Sequence, residues 1–62
     1  MCEATAYSVG SGKEKEIMKD VAVVEVQGRL LTFRDILGNE KKLQAKIKKI
    51  DLIKHKVAVE EL

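Results

Sequence analysis

"EKKLQAKIKKIDLIK", Glu40 to Lys54, is the stretch on which the reading of the fold turns. Leu43, Ile47 and Ile50 sit at helical intervals with lysines between them, the pattern of an amphipathic helix. The same residues also read as a strand. Leu43, Ala45 and Ile47 alternate onto one face, and a switch after Ile47 lets Ile50 and Leu52 continue it. Such a switch costs a bulge or a bend, which small barrels use at their corners. Pattern alone leaves helix and strand both open.

The flanking sequence is less ambiguous. "DLIKHKVAVEEL" (Asp51 to Leu62) predicts a closing hairpin that turns near Lys54 and His55. Upstream, "LLTFRDI" places Leu31, Phe33 and Asp35 in register before a turn at Gly38 to Glu40. "VAVVEVQ" places Val21, Val23 and Glu25 on one face, with Val24 and Val26 near the other, and Gly28 marks a tight turn. "GSGKE" (Gly10 to Glu14) predicts a flexible hairpin loop. At the start, Cys2, Ala4, Ala6 and Ser8 point one way, and Thr5, Tyr7 and Val9 the other. Short β-branched runs punctuated by Gly or Asn predict an all-β chain. About six short strands closing into one small antiparallel β-barrel over residues 1–62 fit best, because closure removes exposed edges.

Composition sets the terms of stability. The chain has 62 residues, no Trp, one Phe and one Tyr, so the core must be aliphatic. A chain this short buries only about 60% of the surface its unfolded form exposes. Small scaffolds make up the difference with disulfides, metals or oligomerisation. The single cysteine excludes an internal disulfide, so metal binding, dimerisation or both are expected, and a homodimer is predicted on stability alone. No apolar run approaches the ~20 residues of a membrane span. With no basic and apolar leader and one lone thiol, the expected compartment is the reducing cytoplasm.

That thiol stands at position two, in "MCEATAY". With Met1 retained, the Met1 amine, the Cys2 amide nitrogen and the Cys2 thiolate form two fused five-membered chelate rings. With Met1 removed, the Cys2 amine and thiolate still form one. Nitrogen and sulfur donors held in a plane suit square-planar Ni(II) or Cu(II). Thiolate reduces Cu(II), which favours Ni(II). A two-fold dimer could bring two Cys2 thiolates together and complete a four-coordinate site. The plainer alternative is that Cys2 is only a small residue at a strand start. His55, in "KHK", reads as a solvated turn residue that reaches the metal only if the closing hairpin folds back toward the start. Glu3 reads as a surface carboxylate.

No catalytic constellation accompanies these residues. Ser8 and Ser11 have no histidine partner nearby, and "GSGK" lacks the spacing and the hydroxyl of a phosphate loop. The expectation is a protein that is not an enzyme. Nucleic-acid binding is the rival class, since small barrels bind RNA through basic grooves and aromatic platforms. Lys41, Lys42, Lys46, Lys48, Lys49, Lys54 and Lys56 supply positive charge against the single acid Asp51. Two aromatics in the whole chain are poor provision for stacking. Without them such lysines give salt-sensitive, sequence-independent phosphate binding.

Taken together and in order, "MCEA", "DVAVVEV", "DILGNEKKL" and "IKKIDLIKHKV" resemble the CooT family of small nickel-binding proteins, some of them described as predicted RNA-binding proteins. The resemblance runs over essentially the whole chain. It implies an SH3-like barrel, a homodimer, and nickel held through Cys2. It also implies a role beside the maturation of a nickel enzyme, carbon monoxide dehydrogenase. It turns the Glu40–Lys54 question toward strand. There is no histidine-rich tail, so bulk nickel storage is not expected.

Overall fold

The computed structural model describes residues 3–10 and 12–62. Five strands succeed one another: β1 (Ala4–Gly10), β2 (Lys13–Gln27), β3 (Leu30–Asp35), β4 (Glu40–Asp51) and β5 (Lys56–Glu61). They close into a barrel in the order β1-β2-β3-β4-β5. The strand count corrects the expectation of about six. "EIMKD" and "VAVVEVQ" are one long strand, bent where Asp20 takes a left-handed φ of 56°. Up to Val21 β2 pairs with β1, and from Val21 onward with β3.

A second correction concerns the closing seam. Neighbours pair antiparallel at four seams, but β1 and β5 run parallel, with Thr5 opposite Lys56 and Ser8 opposite Val59. Six alternating strands would close antiparallel, whereas with five the first and last run the same way.

Glu40–Asp51 is a strand throughout. Its first part pairs with β3, Leu43 opposite Leu31. Its second part pairs with β5, and the register slips between Ile47 and Lys49 so that Lys48 is the extra residue. The bulge therefore falls where the strand reading required a switch of face. Beyond the bulge the expected inward face is lost. Ile50 is opposite Val57, yet it is half exposed, and Leu52 has left the strand and is exposed. The sheet ends there, and among the described residues nothing covers it.

The core is small and aliphatic around one aromatic. Ala6, Val21, Leu31, Phe33, Ala45, Val57 and Val59 are buried, and Phe33 is the largest fully buried side chain. Ile17, Met18, Val24, Leu43 and Ile47 pack against it at the margin. In the "VAVVEV" stretch Val21 and Val24 turn inward while Val23 and Val26 stay exposed. A register slip between Val21 and Val23 shifts the alternation by one residue.

Two turns are built alike. Asp35 accepts from the amides of Leu37 and Asn39 at 2.9 Å each, and from the Asn39 side-chain amide at 3.0 Å. Asp51 accepts from the amides of Ile53 at 3.2 Å and Lys54 at 3.0 Å. A short carboxylate that caps amides two to four residues ahead is the device that stabilises such turns. Gly38 takes a φ of 90°, a conformation in which a Cβ is strained.

The hydrogen bond from the Asn39 side chain, helped by backbone amides, holds the Asp35 carboxyl below its usual range. A group whose folded value is depressed contributes stability above its unfolded value of about 3.9 and loses it as pH falls through the folded value. Asp51 and Glu40 are shifted the same way, Asp51 by the Lys54 amide first and Glu40 by its hydrogen bond from Arg34. The melting temperature should therefore be flat from neutral pH to about 5 and fall below about 4. Asp35→Ala should melt lower at neutral pH and show a shallower acid branch. Thermal melts by circular dichroism from pH 7 to 2.5 check both. An unchanged acid branch would assign the acid sensitivity to other carboxylates.

Candidate metal centre at the chain start

Met1 and Cys2, the predicted metal ligands, lie outside the described residues. The surroundings into which β1 leads are described. Glu3 is exposed. Ala4 lies opposite Val21 at the corner of β2, and Val21 lies opposite Asp35 at the end of β3. Ile36 donates its amide to the Asp20 carbonyl at 3.0 Å, drawing the β3–β4 turn against the same corner. On the other side, Thr5 donates its amide to the His55 carbonyl at 2.9 Å. The chain start therefore leaves the barrel between the two Asp-capped turns.

That geometry meets the condition set for His55. The closing turn does fold back to the start, and His55, with φ of 56° and an exposed side chain, stands beside Thr5. Histidine tolerates this backbone region better than most residues. Among the described residues no three His, Cys, Asp or Glu side chains cluster in a way that could hold a metal ion.

The seven lysines of the nucleic-acid alternative do not form one surface. Lys41 donates to the Ile17 carbonyl at 3.3 Å and so spans from β4 to β2. Lys42 lines a groove with Glu25, Thr32, Arg34 and Glu40. There Arg34 donates through Nε to Glu40 at 3.0 Å and lies 3.9 Å from Glu25, so the groove carries both signs. Lys46 pairs with Glu60 at 3.7 Å, and Lys56 pairs with Glu14 at 3.2 Å. Lys48 and Lys49 border a groove of about 500 Å³ near Gly10 and Lys13, shared with Glu14 and Glu60. Lys54, in the turn after Asp51, lines a small groove with Lys49 and Lys56 and with the acids Glu14 and Asp51. The change of partner strand along β4, from β3 to β5, separates Lys41 and Lys42 from Lys48, Lys49, Lys54 and Lys56.

The aromatics offer no stacking platform either. Phe33 is fully buried, and the ammonium of Lys56 sits 4.7 Å above the Tyr7 ring.

Reading the sequence for ligands missed a different feature at the chain start. Ile36 and Leu37 come directly after Asp35, and Leu52 and Ile53 directly after Asp51. All four are exposed, Leu37 at 83% and Ile53 at 90%. The signal was present, since "DIL" and "DLI" each place two large apolar residues straight after a turn-capping Asp.

Fold and composition define a small closed β-barrel, and its candidate chemistry, Met1 and Cys2, lies outside the described residues. The chain belongs to the CooT family, whose model, described as CO dehydrogenase accessory protein CooT, matches residues 1–60. That description is of an accessory protein to CO dehydrogenase. It is similar to an uncharacterized protein of Methanothermobacter thermautotrophicus, 37% identical over 97% of this chain and 89% of the relative. One from Methanocaldococcus jannaschii is 35% identical over 97% and 98%. Among solved structures it is similar to a crystal structure assigned as a CooT of Carboxydothermus hydrogenoformans. That match has a TM-score of 0.92 and 31% identity, and it covers 98% of both chains.

Proposed function

We propose that this protein is a cytoplasmic nickel-binding homodimer built on an SH3-like barrel. Ni(II) is its cargo, held at the dimer interface by Cys2 with the amine or amide nitrogen supplied at Met1–Cys2. It carries the metal to, or buffers it for, a maturing nickel enzyme such as carbon monoxide dehydrogenase. The observation that carries this reading is the match to the CO dehydrogenase accessory family over residues 1–60, a span that includes Met1 and Cys2. The donor set supports it, since thiolate and nitrogen in fused five-membered rings suit a square-planar d⁸ ion. The exposed Glu3 next in the chain supports it too, because cargo must be reachable by the recipient.

The thiolate is the ligand, and a free thiol has a pKa of about 8.5, so binding releases protons and weakens in acid. The amine makes the reading testable apart from the thiol. One residue added before Met1 moves the amine out of the five-membered ring while leaving Cys2 in place. Isothermal titration should show nickel binding weakened at least about 10-fold in the extended chain, with the fold unchanged. Undiminished affinity would remove the terminal amine from the site.

A further inference from the structure

We infer that the outer face of β5, between the β1–β2 hairpin and the turn after Asp51, is a docking groove for an acidic, extended segment of a partner protein. The inference rests on the proposed function only for who that partner is, the protein that receives the cargo.

Strand register builds the groove. Val57 and Val59 point into the core, so Lys56, Ala58 and Glu60 face outward. Ala58 stands in one row with Tyr7 of β1 and Lys49 of β4. Its short side chain leaves a hollow between two longer ones, with Val9, Gly10 and Gly12 on one wall and Lys48 and Lys49 on the other. A smaller groove of about 180 Å³ continues it toward Asp51, Lys54 and Lys56, and the two share Glu14, Lys49 and Ala58. The bulge in β4 aims the lysines. Neighbours in a regular strand point to opposite faces. Lys48 is the extra residue of the bulge, and so it borders the same groove as Lys49.

Charge selects the occupant. Lys13, Lys48, Lys49, Lys54 and Lys56 line the two grooves against the acids Glu14, Asp51 and Glu60. Those acids are engaged already. Glu14 pairs with Lys56 at 3.2 Å, and Glu60 with Lys46 at 3.7 Å, outside the groove. Asp51 turns Oδ1 to the amides of Ile53 and Lys54. Lys13, Lys48, Lys49 and Lys54 form no ion pair among the described residues. The groove therefore offers positive charge to an anion from outside.

The floor separates a peptide from a nucleic acid. Ala58, Val9 and two glycines make it narrow and apolar, and Lys56 covers the Tyr7 ring, so no base finds a platform. A strand whose carboxylates alternate with small apolar side chains fits both features, acids to the lysines and apolar groups to Ala58. The groove also leads to the right place. Lys54 and Lys56 stand on either side of His55, whose carbonyl accepts the Thr5 amide at 2.9 Å. A segment bound there lies beside the first residues of β1, next in sequence to the proposed cargo ligands.

The test titrates the metal-free, untagged chain with a capped seven-residue peptide of alternating glutamate and valine. Backbone amide NMR follows it at about 0.15 M salt. Shifts should centre on Lys13–Glu14, Lys48–Asp51 and Lys54–Ala58, and the glutamine counterpart of the peptide should not bind. Lys49→Glu should weaken binding at least about 10-fold. Lys42→Glu changes net charge equally but lies in the groove with Glu25 and Arg34, and should weaken it less than about 2-fold. Ala58→Phe should abolish binding with charge unchanged, because it fills the floor. Each variant's own amide spectrum reports its fold, and the wild-type shift map needs no variant. No binding, shifts centred elsewhere, equal losses in the two lysine variants, or undiminished binding by Ala58→Phe overturns the inference. Tighter binding of a short oligouridylate of equal charge overturns it in favour of a nucleic acid. Failure of the nickel reading looks different, because the peptide would still bind this groove in a chain that takes up no Ni(II).

Discussion

Phe33→Ala should leave the chain largely unfolded at 25 °C. Phe33 is fully buried and is the largest side chain in a core otherwise built from Ala, Val and Leu. It sits on the central strand of a three-strand meander, opposite Val24 on one side and Lys41 on the other. Removing a buried phenyl ring costs about 3–5 kcal/mol, the lost transfer energy plus the cavity left behind. A single core in a chain of this length rarely supplies more than about 3–5 kcal/mol in total. The loss and the reserve are therefore of the same size. Far-UV circular dichroism and urea unfolding read the outcome, with Val26→Ala as a contrast expected to change stability by no more than about 0.5 kcal/mol. A Phe33→Ala chain that unfolds as cooperatively as the parent, at a similar urea midpoint, would mean that the monomer core is not the main source of stability.

Cys2→Ser should reduce nickel affinity more than about 100-fold while leaving the fold intact. Loss of a group that only orients a metal ligand already costs about 10- to 100-fold, so loss of the ligand itself costs more. The hydroxyl that replaces the thiol stays protonated at neutral pH and is a hard, weak donor to Ni(II). The described strands begin at Ala4 and the described core at Ala6. The mutant should therefore keep the parent's circular dichroism and melting temperature in metal-free buffer and lose only the nickel response. Equal, weak nickel binding by both chains would sink the assignment and bring nucleic-acid binding forward as the next reading to test.

The fold was legible in sequence to unequal depths. The turns at Gly28, at Gly38 and near His55 were readable from residue type, because left-handed backbone restricts what can stand there. The strand identity of Glu40–Asp51 was not readable from pattern. Lysines outside and apolar residues at intervals of three and four satisfy both periods, and only the family resemblance separated them. The place of its bulge, just after Ile47, was nevertheless implied by the residues themselves.

The strand count failed at Asp20, where a residue that tolerates positive φ bends one strand instead of ending it. The inward assignment of Ile50 and Leu52 failed for a different reason. Alternation tells which way a side chain points, but not whether anything lies above it. The lysine cluster shows the same limit, since neighbours in sequence along β4 face different partner strands, and Lys46 and Lys56 meet acids contributed by β5 and β2. The candidate metal centre was legible only as chemistry, from two adjacent residues, and Met1 and Cys2 lie outside the described part of the chain.

Nickel stoichiometry decides whether two chains share one metal through Cys2. Metal-free protein with its native start is titrated with Ni(II), and the thiolate-to-nickel charge-transfer band is followed beside the sedimentation mass. A shared site saturates near half an equivalent per chain, keeps a mass of two chains throughout, and shows no band in Cys2→Ser. Saturation at one equivalent on a monomer would contradict the shared site, and a band that survives Cys2→Ser would contradict the ligand.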